Sequence, residues 1–257
     1  MIRKLFQDNK PLIVAGILSL VFAGICVTLV LSDPTEILGI NRWIKPAKFF
    51  ISITIFLWTI AIFLEHLPAS DRVKSTLSWS MILIFAIEMA VIVGQPLRGR
   101  TSHFNVGSPF DGAVFATMGI AIAVLTLIVI YLTFLYFISD IRLPRSIAWG
   151  IRFGLLMMVL ASFQGAYMSQ HLSHAVGVPD GGAGLPLVNW STEGGDLRVA
   201  HFLGMHGLQA IPLAAIFFDW ISRRWSLLAT IVFAAIYAGL FSAVFVQALL
   251  GRPFAAI

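Results

Sequence analysis

The chain alternates long apolar blocks with short polar segments. The blocks cover residues 11–32, 46–64, 77–96, 113–138, 147–171, 200–219 and 226–250. A helix of about 20 apolar residues crosses the roughly 30 Å hydrocarbon core of a bilayer, whereas helices of a soluble bundle carry their apolar residues on one narrow face. The pattern therefore predicts an all-α bundle of about seven transmembrane helices that forms a single integral membrane domain over residues 1–257.

Composition changes this picture little. Hydrophobic residues make up 59% of the chain and charged residues 11%, against about 25% charged residues in an ordinary soluble domain. The net charge of +5 comes from cations in short loops between apolar blocks, with no continuous basic face. We therefore expect the lipid bilayer as a partner and no binding to nucleic acid.

The cations also predict an orientation. With seven spans, the loops on the N-terminal side carry more Lys and Arg than the loops on the opposite side. The positive-inside rule then predicts a cytoplasmic N-terminus and an external C-terminus. Most of the seven tryptophans lie near span ends, as an interfacial aromatic belt requires.

Polar side chains recur at helical spacing in four spans, so that each group is predicted to share one helix face. These groups are Lys45 with Lys48, Ser52 and Thr59, Glu88 with Gln95, Gln164 with Tyr167, His171 and His174, and His206 with Gln209. Polar groups do not face lipid cheaply. We expect these faces to turn toward one another and enclose a wet or liganded cavity near the outer surface.

Glu88 is the most informative of these residues. It lies roughly 16 Å into its predicted span, close to the bilayer midplane, where a carboxylate costs several kcal/mol unless it is paired, hydrated or protonated. One interpretation is a neutral side chain hydrogen-bonded between helices, and the other is a proton-carrying or cation-binding group. Lys48 has two interpretations as well, a catalytic-site lysine that holds an anionic group or a lysine that snorkels to the interface.

An internal echo links two outer loops. Ser-His, Val-Gly, Pro and Asp-Gly follow in the same order within 102–112 and within 173–181. The echo predicts a repeat of helix hairpins, spans 3–4 and spans 5–6, with His103 and His174 meeting near the outer surface, because membrane folds often place ligands between repeats. The alternative is that both loops contain residues that are common in turns and share their order by chance.

The histidines suggest a metal or haem site. The candidate ligands for a transition metal or haem b are His103, His171, His174 and His206, because imidazole suits zinc, copper and iron and a pair can hold haem. The candidate catalytic residues are Glu88 and Lys48, and the candidate cofactor-binding residues are Arg100, Gln95, Gln164 and Gln209. Common hydrolase and nucleotide-binding motifs are absent from the sequence.

Three segments carry a resemblance to known sequences. Residues 41–49 read N-R-W-I-K-P-A-K-F, 98–105 read R-G-R-T-S-H-F-N, and 201–209 read H-F-L-G-M-H-G-L-Q. They resemble a bacterial multi-pass membrane family of unknown function over most of the chain. The resemblance implies a bacterial inner-membrane location, with the outer loops in the periplasm, and implies no activity.

Three functions are compatible with this sequence. The first is a membrane enzyme that binds a metal or haem at a periplasm-facing site rich in histidine. The second is a proton- or ion-coupled transporter or channel for a small solute, indicated by Glu88 and the echo. The third is a non-catalytic assembly or sensor subunit. A small molecule or ion is the expected partner of the first two.

Overall fold

The structure is a computed structural model that describes residues 9–255. Its helices are α1 (Lys10–Ser32), α2 (Ile44–His66), α3 (Asp71–Leu97), α4 (Pro109–Ile138), α5 (Arg145–His171), α6 (Leu197–Ile221) and α7 (Ser226–Leu249). Two short antiparallel hairpins join them. Strand β1 (Glu36–Ile37) pairs with β2 (Ile40–Asn41) between α1 and α2, and β3 (Ala175–Val176) pairs with β4 (Gly195–Asp196) between α5 and α6.

The seven predicted spans are confirmed as helices that are long and apolar enough to cross a membrane. The helices begin earlier than the apolar blocks where a polar first turn is capped. At α3, Ser70 accepts a hydrogen bond from the amide of Val73, and the acidic Asp71 opens the first turn. Both features stabilise a helix start, although neither residue is apolar.

Large apolar side chains cover the outside of the described helices. Leu18 on α1 is 54% exposed, Ile120 on α4 is 67% exposed and Ile236 on α7 is 66% exposed. In water, such continuous apolar surface would drive association. The length and composition of these helices are those of a multi-pass membrane protein.

The chain divides into two compact units, one ending at Ile128 and one beginning at Val129, so that α4 contributes to both. The prediction of one membrane domain and the prediction of a hairpin repeat stay predictions.

In the first unit, α1 packs along α2, and both contact α3. Thr54 on α2 donates its hydroxyl hydrogen to the carbonyl of Gly16 at 3.0 Å, and the indole of Trp58 donates to the carbonyl of Ile13 at 3.3 Å. Gly16 permits this approach, because a Cβ there would overlap the Trp58 indole. Such polar bonds join helices inside membranes, where the hydrophobic effect does not drive helix association.

In the second unit, α5 packs along α6 through small residues. A Cβ on Gly154 would lie 3.2 Å from the carbonyl oxygen of Leu208, a closer approach than most side chains allow. Pro212 has no amide hydrogen to bind that carbonyl, yet α6 continues through it. Helix α7 packs on α6, and Tyr237 donates its hydroxyl hydrogen to the carbonyl of Leu203 at 2.7 Å.

Arg152 on α5 caps the end of α4 within the second unit. Its Nε donates to the carbonyl of Tyr136 at 2.9 Å, and its Nη2 donates to the carbonyl of Ser139 at 3.4 Å. The guanidinium also lies 5.0 Å from the centre of the Trp149 ring. The last carbonyls of a helix have no partner within the helix, so this arginine satisfies one of them, at Tyr136, and the carbonyl that directly follows the helix, at Ser139.

Candidate functional site

In the first unit, Glu88 is buried within α3. It lies about 14 Å from Leu97 and about 26 Å from Asp71 along the helix axis, at about 1.5 Å per residue. The helix begins before the apolar block, so Glu88 lies further past the midpoint of the helix than the sequence predicts. Only 3% of the residue is exposed, and its Oε1 has no hydrogen-bond partner within the described part of the chain.

Lys45 brings a positive charge to Glu88. Lys45 lies in the first turn of α2, and its charge acts on the Glu88 carboxyl group. Its Nζ also lies 3.2 Å from Nδ1 of His103, in the loop between α3 and α4. Lys45, Glu88 and His103 together are called the Glu88 site below.

The contact with Lys45 indicates the tautomer of His103. An ammonium group donates hydrogen bonds and accepts none, so Nδ1 of His103 must accept and the ring hydrogen must lie on Nε2. The hydroxyl of Ser102 lies 3.2 Å from the same Nδ1. The rings of Phe49 and Phe104 lie about 6 Å from the imidazole. The imidazole therefore has an apolar wall beside a polar contact.

The hairpin that follows α1 holds the start of α2 in place. Oδ2 of Asp33 accepts hydrogen bonds from Nε of Arg42 and from the indole of Trp43, both at 2.7 Å. Hydrogen bonds from Thr35, Trp43 and Arg42 hold the pKa of Asp33 well below its usual range. Arg42 also donates to the carbonyl of Pro96 at 3.4 Å, which ties this hairpin to the end of α3.

Asp111 is engaged at the start of α4. Ser108 accepts a hydrogen bond from the Asp111 amide at 3.1 Å and donates its hydroxyl hydrogen to the Asp111 carboxylate at 2.8 Å. Gln95 and Arg98 donate to the same carboxylate at 3.0 Å and 2.9 Å. The carboxylate of the first echo loop therefore stabilises a helix start.

In the second unit, His174 lies beside a carboxylate. Its Nδ1 is 3.1 Å from Oδ2 of Asp180, and the same carboxylate accepts hydrogen bonds from the backbone amides of His174 and Ala175. Ser173 donates its hydroxyl hydrogen to it at 3.2 Å. Burial alone would raise the pKa of Asp180, but the hydrogen bonds and charge of His174, with the Ala175 amide, hold that pKa well below its usual range.

His201 on α6 packs against α5. Its Nδ1 is 3.1 Å from the carbonyl oxygen of Ala161 and 3.1 Å from Oε1 of Gln164, both on α5. Gln164 is buried and donates from its amide nitrogen to the carbonyl of Leu197 at 3.0 Å. Gln164, His174, Asp180 and His201 are called the His174 corner below.

Asp196 braces the same corner. Its side chain is 0% exposed, pairs with the guanidinium of Arg198 at 2.6 Å and accepts from the amide of Ser191 at 2.8 Å. Arg198 also donates to the carbonyl of Asn189. This carboxylate is saturated by donors, as a buried charge must be.

No protein-family model, characterised protein or solved structure matches this chain. The resemblance to a bacterial membrane family therefore stays a prediction.

The structure gives the predicted site residues of the first unit different surroundings. Glu88 joins a site, whereas Gln95 serves the cap at Asp111 and Arg100 lies exposed beyond α3. Lys48 lies half-buried one turn along α2 from Lys45. His103 contacts Lys45, a residue outside the predicted site set.

The predicted face of the fifth span is wrong at its end. Helix α5 ends at His171, because Leu172 adopts a left-handed conformation with φ of 50°, so His174 lies in the loop. His171 stacks on Tyr167 with ring centres 4.0 Å apart and stays exposed. The spacing of polar residues along the sequence does not reveal that a residue in the left-handed conformation ends the helix.

The other predicted residues of the second unit are divided between α5 and α6. Gln164 joins the His174 corner. His206 is hydrogen-bonded to Gln209 one turn along α6, and its ring centre lies 4.2 Å from that of Phe202. Within residues 9–255, no three His, Cys, Asp or Glu side chains form a group that could hold a metal. The four histidines therefore stay candidate ligands, and a metal- or haem-binding enzyme stays a prediction.

Three residues of these sites were not among the predicted site residues. Lys45 lies one turn before the proposed Lys48, Asp180 closes the second echo loop, and His201 begins the string that ends at Gln209. Asp180 had a signal, because it follows Ser-His within the echo. His201 had none, because its partners Ala161 and Gln164 lie on another helix.

Proposed function

We propose that this chain is a proton-coupled carrier of a small solute or ion in the bacterial inner membrane, with Glu88 as its proton-carrying side chain. The observation that carries the proposal is the buried Glu88 carboxyl group, whose Oε1 has no hydrogen-bond partner in the described chain. Buried polar atoms are nearly always hydrogen-bonded, and an exception calls for an explanation. An ionisable residue inside a membrane helix is a functional-site candidate by default.

Lys45 supports this role because it gives Glu88 two distinct states. The ionised carboxylate is stabilised by the charge of Lys45, since opposite charges attract strongly where water is scarce. A proton on Glu88 cancels that attraction and leaves the Lys45 charge to its other neighbours, among them His103. Proton binding at Glu88 would thereby change the electrostatics of the loop that holds His103.

Such a change is the requirement for coupled transport. A carrier moves its solute with a proton only if binding of one alters the affinity for the other, and this coupling is reciprocal. The Glu88 site provides a charge that a proton removes, beside a cation and an imidazole that a solute can contact. The proposed orientation, with the N-terminus in the cytoplasm, makes this site face the periplasm.

Proton movement driven by solute tests the proposal. The full chain is reconstituted into phospholipid vesicles that contain a pH-sensitive dye, and small carboxylates, amino acids, phosphate and alkali-metal salts are added outside in turn. We expect at least one of these probes to change the internal pH, and Glu88→Gln to reduce the initial rate at least tenfold, because glutamine carries no exchangeable proton.

Glu36→Gln is the matched control, since Glu36 is exposed in β1 and should leave the rate unchanged. Variants are compared at equal reconstituted amounts after their helical content has been checked by circular dichroism. An unchanged rate in Glu88→Gln would refute the role of Glu88. Folded wild-type protein that moves protons with none of these probes would refute the carrier function, and a membrane enzyme or sensor subunit would then be favoured.

A further inference from the structure

One carboxylate joins three helix ends in the second unit. Oδ1 of Asp219, near the end of α6, accepts hydrogen bonds from the hydroxyls of Ser146 at the start of α5 and Ser226 at the start of α7, at 3.0 Å and 3.3 Å. Both serines are buried, and the Asp219 side chain is 14% exposed. One turn away, a Cβ on Gly150 would lie 2.7 Å from Cβ of Ala215, so α5 and α6 are in close contact at this end. The loop before α5 and the turn after α6 therefore lie side by side.

Four arginines flank this carboxylate and are called the arginine cluster. They are Arg142 and Arg145 in the loop before α5, and Arg223 and Arg224 in the turn after α6, and all four are exposed. Nε of Arg223 lies 3.9 Å from Oδ2 of Asp219, and the Arg223 side chain is 88% exposed. Within the described part of the chain, none of the other three pairs with a carboxylate. The charge of the cluster therefore remains available to a ligand.

The same helix ends carry exposed tryptophans. Trp220 and Trp225 are largely exposed, and the Arg224 guanidinium lies 5.3 Å from the centre of the Trp225 ring. Exposed tryptophans of membrane proteins lie at the level of the lipid headgroups. The exposed side chains of Leu213 and Phe217 continue the apolar surface along α6. The cluster is thus placed at the level of lipid phosphates, beside apolar surface that suits acyl chains.

We propose that the arginine cluster binds the headgroup of an anionic phospholipid. A guanidinium group donates two parallel hydrogen bonds to phosphate oxygens. Residues 139–146 and 219–226 contain two aspartates, Asp140 and Asp219, against the four arginines. This surplus of positive charge would repel the amine of a zwitterionic headgroup, so anionic lipid fits better. The proposed orientation puts both loops at the cytoplasmic leaflet, whose surface is negative. The site does not depend on the carrier function proposed for Glu88.

Lipid retention by the full chain in detergent tests the proposal. The protein is mixed with equal amounts of dioleoylphosphatidylglycerol and dioleoylphosphatidylcholine, and the lipids that each folded chain retains are counted by native mass spectrometry. We expect a preference of about twentyfold or more for phosphatidylglycerol, because each arginine near the membrane surface strengthens the binding of anionic lipid. The preference should fall as NaCl is raised, because salt screens exposed charges.

Substitutions in either loop should change this preference. Arg142→Gln with Arg145→Gln, and Arg223→Gln with Arg224→Gln, each remove two charges from one loop, and each pair should lower the preference about tenfold. Asp140→Asn should raise it about threefold, because it removes an exposed negative charge from the loop that carries Arg142.

A matched control separates this site from the net charge of the protein. Arg72→Gln with Lys74→Gln removes two cations from the start of α3 and should leave the preference unchanged. Circular dichroism checks that each variant keeps its helices.

Four results would overturn this assignment. They are equal retention of the two lipids by folded wild-type protein, an unchanged preference in either double variant of the cluster, an equal loss in the control, and displacement of phosphatidylglycerol by glycerol 3-phosphate. The last result would mean that the arginines bind soluble phosphate esters. Glu88→Gln should keep the wild-type preference, so failure of the lipid site and failure of the carrier function are distinguishable.

Discussion

His103 and His174 follow a serine in two loops of similar sequence, yet they face opposite charges. Nδ1 of His103 lies 3.2 Å from the Lys45 ammonium, whereas Nδ1 of His174 lies 3.1 Å from the Asp180 carboxylate. The first nitrogen must accept a hydrogen bond and the second must donate one. Similar loops therefore hold imidazoles of opposite tautomer, suited to different chemistry.

The position of the next helix explains this difference. After His103, α4 begins at Pro109, so Asp111 falls within its first turn and stabilises that helix start. After His174, no helix begins until Leu197, and Asp180 folds back onto Ser173 and His174. A shared Asp-Gly pair therefore has a different partner in each loop. The residue types of a loop alone therefore do not determine which charge a histidine in it faces.

The segments that join α3 to α4 and α5 to α6 each carry an ion pair, Arg98–Asp111 and Arg198–Asp196. The difference between these two pairs gives the largest predicted effect. Asp196→Ala should lower the free energy of unfolding by about 3 kcal/mol, because the backbone amides of Ser191 and Arg198 lose their buried acceptor together with the Arg198 guanidinium. Arg98→Ala, which breaks the Asp111 pair, should cost about 1 kcal/mol or less, because the Arg98 side chain is 48% exposed. Denaturant unfolding in detergent measures both, and equal losses would contradict the comparison.

The backbone is also packed more tightly between α5 and α6 than between α3 and α4. A Cβ on Gly195 would overlap the carbonyl oxygen of Ala248, whereas the nearest atom to a Cβ on Gly107 would be Oδ1 of Asn105 at 3.7 Å. Gly195→Ala should therefore destabilise the protein by about 1–3 kcal/mol, as overpacking does. Gly107→Ala is the matched control and should fall within about 0.5 kcal/mol of wild type. A neutral Gly195→Ala would show that β4 does not pack tightly on α7.

The sequence predicts the helices well, because lipid imposes a length and a composition that can be counted along the chain. All seven apolar blocks coincide with helices, and the largest difference at a helix start is the capped polar turn at Ser70–Asp71. A cap is a local hydrogen bond between side chain and backbone, so the apolar pattern does not contain it.

The sites were predicted less completely, because their partners come from distant parts of the chain. Glu88 was found, since a carboxylate in an apolar block is rare. Lys45 was replaced by Lys48 in the predicted set, because their spacing does not reveal which lysine acts on Glu88. His201 depends on Ala161 and Gln164 of α5, and no spacing within α6 indicates that contact.

The smallest predicted effect concerns the carboxylate that distinguishes the two histidines. Asp180 has a lowered pKa in the folded protein, so its stabilising contribution is complete above the usual aspartate pKa of about 3.9 and is lost as pH falls through the lower folded value. At pH 7, Asp180→Asn should therefore make hydrogen exchange at the amides of His174 and Ala175 roughly fivefold faster, or about 1 kcal/mol. This difference from wild type should shrink as pH falls below about 4. The exchange rate at the His103 amide should be the same in the variant and in the wild type at each pH, because the Asp180 carboxylate makes its hydrogen bonds with Ser173, His174 and Ala175 of its own loop. A difference that persists undiminished at low pH would mean that the Asp180 charge does not hold the His174 loop.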